Sequence, residues 1–184
     1  MKSIYQKTSG FTLIELLVTM AIVAILASAA APSMRTFINN QTMVADASNF
    51  ASAVNYTRGE AVARAIDVQL CASTDGINCS ESDPWSAGWI VRIAQTTRCP
   101  NPADVSTCRL LVGEGMRDGV DLTGSVFSLT FNAQGRLENT DETLRFILQS
   151  PAYNVTNNPA GARTFCLRIS GNKSMKIGVQ LCAE

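Results

Sequence analysis

Histidine is absent from the 184 residues. That removes the usual general base, the Ser-His-Asp and Cys-His pairs, and zinc or haem sites held by imidazole. A charge of one sign is also missing, since Lys+Arg and Asp+Glu are both 15. No global field draws the chain to DNA or to an anionic membrane, and a bulk nucleic-acid coat protein is excluded. Charged residues make up only 16% against 46% hydrophobic, which excludes disordered and collagen-like chains. The length suits one domain with an appendage. No Cys-x-x-Cys occurs among the six cysteines at 71, 79, 99, 108, 166 and 182. An even count without close spacing points to disulfides made in an oxidising compartment, with a free thiol or a metal cluster as the unsupported alternative.

What the sequence does have is concentrated at its start. Residues 1–35 carry two early bases, Lys2 and Lys7, followed by an apolar run. From Leu16 to Met34 no charge occurs, a length that spans a bilayer. Bases before the span and a polar, cysteine-bearing remainder after it predict an N-in, C-out orientation. Glu15 interrupts the run at its beginning, and an acid in such a segment is retained when it has a partner. A secretory signal peptide with an Ala27-Ser28-Ala29 cleavage site is one alternative. Glu15 within the apolar segment and Pro32 just beyond it count against that reading. A plain one-pass anchor is another alternative, while a buried core helix is disfavoured by the length.

The segment SGFTLIELLVTMAIVAILA resembles the processing and methylation segment of type IV pilins. The resemblance implies cleavage by a prepilin peptidase after Gly10 and N-methylation of the new first residue, Phe11. Glu15 then becomes the fifth mature residue, and Pro32 closes the apolar half of the helix at mature position twenty-two. A free amine on Phe11 and a carboxylate on Glu15 are complementary charges in a low-dielectric bundle, so a neighbour's N-terminus satisfies Glu15 on assembly.

Beyond Pro32, Val44, Ala47, Ala51, Val54, Ala61 and Ala65 recur at helical spacing, widened by Phe37, Phe50 and Val62. Arg35, Asp46, Arg58, Glu60 and Arg64 lie mostly off that stripe. One helix from about Phe11 to Ala65 is expected. Strands are expected at Asp67–Ala72, Gly88–Ala94, Arg109–Val112, Ser125–Phe131, Leu144–Gln149, Thr164–Ile169 and Met175–Leu181, several alternating with period two. Here a narrower resemblance appears, to the GspH/FimT family of minor pilins and pseudopilins. It rests on Arg58-x-Glu60-Ala61 and the strand ending at Cys71, on Trp85-x-x-Gly88-Trp89, on Phe131-Asn132-x-x-Gly135-Arg136, and on the last hairpin. Packing explains both tryptophans equally well, and a turn explains Asn132 to Gly135.

Sequential cysteine pairing, Cys71–Cys79, Cys99–Cys108 and Cys166–Cys182, is the simplest of fifteen connectivities. Setting Cys166 opposite Cys182 on adjacent strands makes Leu167 face Leu181, Ile169 face Val179 and Arg168 face Gln180, which keeps the apolar set on one side. The same register leaves Gly171–Lys176 near a hairpin tip. From Arg163 onward four bases, Arg163, Arg168, Lys173 and Lys176, stand against one acid, Glu184. Some relatives in the resembled family bind DNA through a C-terminal Gly-Arg-x-Arg element. Here the glycine is kept, lysines replace arginines and the spacing is stretched, and lysine lacks arginine's fork. A solvated hairpin tip is the competing reading.

The resulting expectation is an α+β pilin fold: a long N-terminal helix packed on an antiparallel sheet head. Residues 1–10 form a cleaved leader, 11–34 a transmembrane and assembly half-helix, and 35–184 a periplasmic head. The resemblance implies a FimU- or FimT-like minor pilin that primes assembly near the filament tip. The alternatives are a DNA-binding subunit for DNA uptake and a type II secretion pseudopilin. Its partners would be other pilins through the helix, the prepilin peptidase and N-methyltransferase, and the bacterial inner membrane before the pilus. No catalytic residue, metal or cofactor is implied, and the acids Asp141-Glu142 and Asp118 with Asp121 read as surface charge.

Overall fold

The computed structural model describes residues 11–80, 85–101, 103–117, 119–138, 143–151 and 161–182, without the side chains at 29–33, 35, 36, 96 and 105. Gly10, Lys2, Lys7, Asp118, Asp141, Glu142, Glu184 and the side chains of Pro32 and Arg35 therefore lie outside the described residues. The chain divides into two units, Met1–Asn39 and Asn40–Glu184. One helix, α1 (Leu13–Arg64), contributes to both.

In the second unit the buried positions of α1 are Met43, Asp46, Ala47, Phe50, Ala51, Ala53, Val54, Thr57 and Ala61, a stripe centred on three- and four-residue steps. This stripe starts one residue earlier than the sequence pattern suggests. Val44, Phe37, Val62 and Ala65 face solvent. Asp46, expected off the stripe, is 3% exposed because Ala47 and Phe50 beside it carry the helix into the core. Thr57 tolerates full burial because its hydroxyl donates to the Ala53 carbonyl at 2.7 Å.

Among the described residues eight strands follow, and they form two antiparallel sheets rather than the single sheet expected. The first contains β1 (Val68–Ala72), β2 (Gly88–Ile93), β3 (Arg109–Glu114) and β5 (Ser128–Phe131), in the order β3-β2-β1-β5. The second contains β4 (Asp121–Gly124), β6 (Leu144–Gln149), β7 (Arg163–Leu167) and β8 (Lys173–Ile177), in the order β4-β6-β7-β8. The composition of β4, Asp-Leu-Thr-Gly, has a single apolar residue, so nothing in its sequence marked it as a strand. In β6 the alternation is plain: Leu144, Phe146 and Leu148 are buried while Arg145, Ile147 and Gln149 are less so.

Phe50 joins α1 to both sheets. Its ring lies 5.6 Å from Trp89 of β2, 5.0 Å from Phe146 of β6 and 5.6 Å from Phe165 of β7. Trp85, in the short 3-10 turn Trp85–Ala87, stands 5.5 Å from both Phe50 and Phe146, edge to face. Its indole N–H donates to the Val126 carbonyl at 2.8 Å, so full burial leaves no orphan donor there. The same turn ties the sheets together, since the Ser86 hydroxyl accepts from the Leu122 N–H at 2.9 Å.

The last hairpin differs from the expected register. Leu167 pairs with Lys173, Cys166 with Ser174 and Phe165 with Met175. A tight turn sets this register: Gly171 donates to the Arg168 carbonyl at 2.8 Å, and the Arg168 N–H donates to the Asn172 carbonyl at 2.8 Å. Met175 and Ile177 keep the face of Phe165 and Leu167 but are exposed because β8 is the edge strand of its sheet, and Leu181, beyond the strand, is exposed as well. Cys182 is not opposite Cys166 in the sheet. The chain turns at Gly178, whose N–H donates to the Ala162 carbonyl at 2.7 Å, and Cys182 beyond it bonds to Cys166 of β7.

The end of α1 is a Schellman motif. The Ile66 N–H donates to Ala61 at 3.2 Å and the Ala65 N–H to Val62 at 3.3 Å, with Ala65 at φ 53°. A left-handed conformation costs a residue with a Cβ about 1–2 kcal/mol, more than glycine loses through its freer unfolded chain. Ala65→Gly is therefore expected to stabilise the protein by about 0.5–1 kcal/mol, read as a higher denaturant midpoint with an unchanged slope.

Candidate functional site

The start of α1 is closed by its own side chains. The Thr12 N–H and hydroxyl donate to one carboxylate oxygen of Glu15 at 3.0 and 3.1 Å, and the Glu15 N–H donates back to the Thr12 hydroxyl at 3.3 Å. This is a capping box, which satisfies otherwise orphaned N–H groups of the first turn. Its signature, Thr12-Leu13-Ile14-Glu15, is visible in the sequence and escaped the sequence reading, which gave Glu15 only to a neighbouring chain. In the single chain the carboxylate already has a partner. A carboxylate offers about four acceptor sites, so one oxygen held by Thr12 leaves capacity for a further donor.

Around this cap the described large apolar side chains from Leu13 to Leu26 are exposed, between 51% at Val18 and 76% at Leu13. The hydroxyls of Thr19 and Ser28 donate to the carbonyls of Leu16 and Ile25 at 2.9 and 2.7 Å. They are thereby turned onto the helix backbone, and the outward surface is left to hydrocarbon. Among the described residues no helix is long and apolar enough to cross a membrane. The expected span, Leu16 to Met34, runs through the side chains at 29–33 that lie outside the description.

In the second unit, three motifs read separately in the sequence meet at Arg58. Its guanidinium donates to the Gly171 carbonyl at 3.3 Å. A Cβ on Gly171 would lie 2.6 Å from the Gly135 carbonyl oxygen and 2.9 Å from Arg58 Nε, and φ there is +77°. The Asn132–Gly135 turn, the Arg168–Gly171 turn and the helix thus close on one another, with no room for a side chain at the contact. Gly171→Ala is expected to cost about 2–3 kcal/mol through backbone strain and overpacking, measured by chemical denaturation.

Disulfides join Cys71 to Cys79, Cys99 to Cys108 and Cys166 to Cys182. The first ties the end of β1 to the following loop. There Asp75 accepts from the N–H groups of Asn78 and Ile77, which hold its carboxyl well below the usual range. The second closes the loop before β3, and the third anchors the C-terminal segment to β7.

The four bases suggested by the sequence do not form a patch. Arg163 is 8% exposed and donates to the carbonyls of Gly161 and Ala162 at 2.9 and 3.1 Å and to the side chain of Asn40. It is a packing residue, buried because Arg163 shares a strand face with Phe165 and Leu167. Lys173 lies on that same face, where its ammonium donates to the Ala51 carbonyl of α1 at 3.1 Å and burial lowers its pKa. Lys176 pairs with Thr164 and so sits on the opposite face, donating to the Leu181 carbonyl at 3.3 Å. Of the four, Arg168 in the turn and Lys173 at the start of β8 are exposed. Two lysines on opposite faces and a buried arginine give no cluster of adjacent phosphate contacts. A mobility-shift assay of the head is expected to show no retarded DNA at about 0.1 M salt, and a retarded band lost by Lys173→Ala would contradict this placement.

Helix, strand order and turns together define a pilin-like α+β protein. A family model described as Type II transport protein GspH matches residues 46–173, and one described as the prokaryotic N-terminal methylation motif matches residues 5–31. The chain belongs to the GspH family. Its fold is similar to that of the type IV minor pilin FimU of Pseudomonas aeruginosa PAO1 in two crystal forms. One gives a TM-score of 0.56 at 17% identity over 76% of this chain and 92% of that one. The other gives 0.52 at 17% identity over 72% and 90%. No curated protein matches the chain significantly.

Proposed function

We propose that the protein is a structural minor pilin of a type IV pilus, cut after Gly10, methylated on Phe11 and built in near the filament tip, where it primes assembly. The observation that carries this reading is the bare apolar start of α1. Large apolar side chains exposed on every side of a helix need hydrocarbon or other helices around them. A bilayer supplies this before assembly and neighbouring stems supply it afterwards. The self-capped Glu15 fits both stages: Thr12 holds the carboxylate while the helix sits in lipid, and the remaining acceptor capacity receives the Phe11 amine of a neighbour in the filament. The prepilin peptidase and N-methyltransferase, the inner membrane and other pilins are the partners this requires. The N-terminus then faces the cytoplasm and the head the periplasm until assembly.

A type II secretion pseudopilin is the second reading, favoured by the family's own description. It uses the same stem chemistry and differs in the machine that extracts the subunit.

Intact mass and N-terminal analysis of the membrane-extracted protein test the proposal. Loss of residues 1–10 with one added methyl group on Phe11 is expected, whereas a start at Ala30 or Pro32 would mean an ordinary signal peptide. Glu15→Val is expected to leave the chain in the membrane but to lower its incorporation into sheared filaments by about tenfold or more. Incorporation at the native level would remove Glu15 from the mechanism.

A further inference from the structure

Within the second unit a cavity of about 660 Å³ opens between α1 and the edge strand β3. Its wall contains Asp46 and Tyr56 from the helix, Trp89 from β2, Val112 and Glu114 from β3, and Arg117 beyond it. Among the described residues the strand order gives β3 a neighbour on one side only, so its other edge is open to an added strand.

Two buried polar atoms in this wall have no hydrogen-bond partner among the described residues. Asp46, with a 4% exposed side chain, receives Arg117 Nε on Oδ1 at 3.3 Å, while its Oδ2 is shielded and receives nothing. The indole Nε1 of Trp89 is likewise shielded and donates to nothing. Gly113 lies opposite Trp89 in the β2–β3 register, and a Cβ there would stand 2.0 Å from Nε1. The missing side chain is what lets the indole N–H cross β3. An unmade acceptor and an unmade donor on one cavity wall are costly in a free chain and need an occupant that supplies both complements.

We propose that the groove receives an extended segment of a neighbouring filament subunit, laid along β3 as an added strand. Its lysine or arginine side chain reaches Asp46 Oδ2, and one of its main-chain carbonyls accepts from Trp89 Nε1. This rests on the reading of the chain as a filament subunit. An extended residue with a basic side chain carries both complements at once. The charge suits a cation, because Asp46 and Glu114 face one base, Arg117. Burial raises the Asp46 pKa and Arg117 offsets that shift only in part, so the carboxylate is short of positive charge. Arg117 has a 57% exposed side chain and can swing aside into solvent.

The test uses the full processed chain in detergent and the probe peptide acetyl-Thr-Val-Lys-Val-Thr-amide, read by the indole N–H resonances in NMR. The Trp89 signal is expected to shift saturably, while that of Trp85, already bonded to Val126, stays in place. Affinity is expected to fall about tenfold or more in Asp46→Asn, which keeps the size of the side chain and removes only its charge. A peptide with glutamate for lysine, and one N-methylated at alternate residues, are expected not to bind. The two peptides decide the question even if Asp46→Asn fails to fold. No Trp89 shift up to about 10 mM probe, or equal binding of either control peptide, would overturn the proposal. Failure here alongside normal Phe11 processing and Glu15-dependent incorporation refutes the groove alone. Saturable binding in a chain that never enters filaments refutes the filament reading instead.

Discussion

The aromatic cluster around Phe50 is the contact on which the head depends. α1 presents a narrow stripe of small residues, Ala47, Ala51, Val54 and Ala61, and Phe50 is its one large ring. That ring touches residues of both sheets and of the turn between them. Small neighbours let the strands approach the helix closely, and the ring fills the space where the sheets diverge. Removing a buried phenylalanine costs about 3–5 kcal/mol, a large part of the roughly 5–15 kcal/mol that holds a domain together. The glycines at the crowded points follow from this packing. At Gly124 a Cβ would lie 2.7 Å from Phe146 and 2.8 Å from Trp85.

α1 carries two incompatible surfaces in one helix. Before Asn39 its apolar side chains are exposed, and after Asn40 its apolar side is a narrow buried stripe. A helix of the first kind is stable only in an apolar medium, whereas one of the second kind needs a sheet. Between Thr12 and Ser28 the polar side chains are turned back on their own chain: Glu15 on Thr12, and Thr19 and Ser28 on backbone carbonyls. A subunit that exchanges lipid for protein neighbours benefits from carrying no unmet hydrogen-bonding group through the exchange.

Cations in the head serve structure more than surface charge. Arg58 closes two turns, Arg163 ties β7 to Asn40, and Lys173 reaches the α1 backbone. Composition and motif reading treat a lysine or arginine as a solvent-facing charge. Long aliphatic stems let these residues cross an apolar layer and end on a carbonyl, so their sequence neighbourhood carries little information about their role.

Local chemistry decided what was legible in the sequence. The N-terminal run with Phe11 and Glu15, the α+β class, and most strands follow from hydropathy period and turn residues, which act over a few positions. The capping box at Thr12 was equally local and equally legible. Tertiary contacts decided the rest. The strands fall into two sheets because the Ser86 turn and Phe50 bridge them, and β4 exists only because β6 offers it a ladder. The last hairpin is the clearest case. Its apolar alternation at Met175, Ile177, Val179 and Leu181 suggested one register, yet the short turn at Gly171, locked against Gly135 and Arg58, imposed another, and the place of β8 at the sheet edge left Met175 and Ile177 exposed. A strand's register is settled by the turn that starts it and by what that turn packs against. Both lie beyond the reach of a pattern read along one strand.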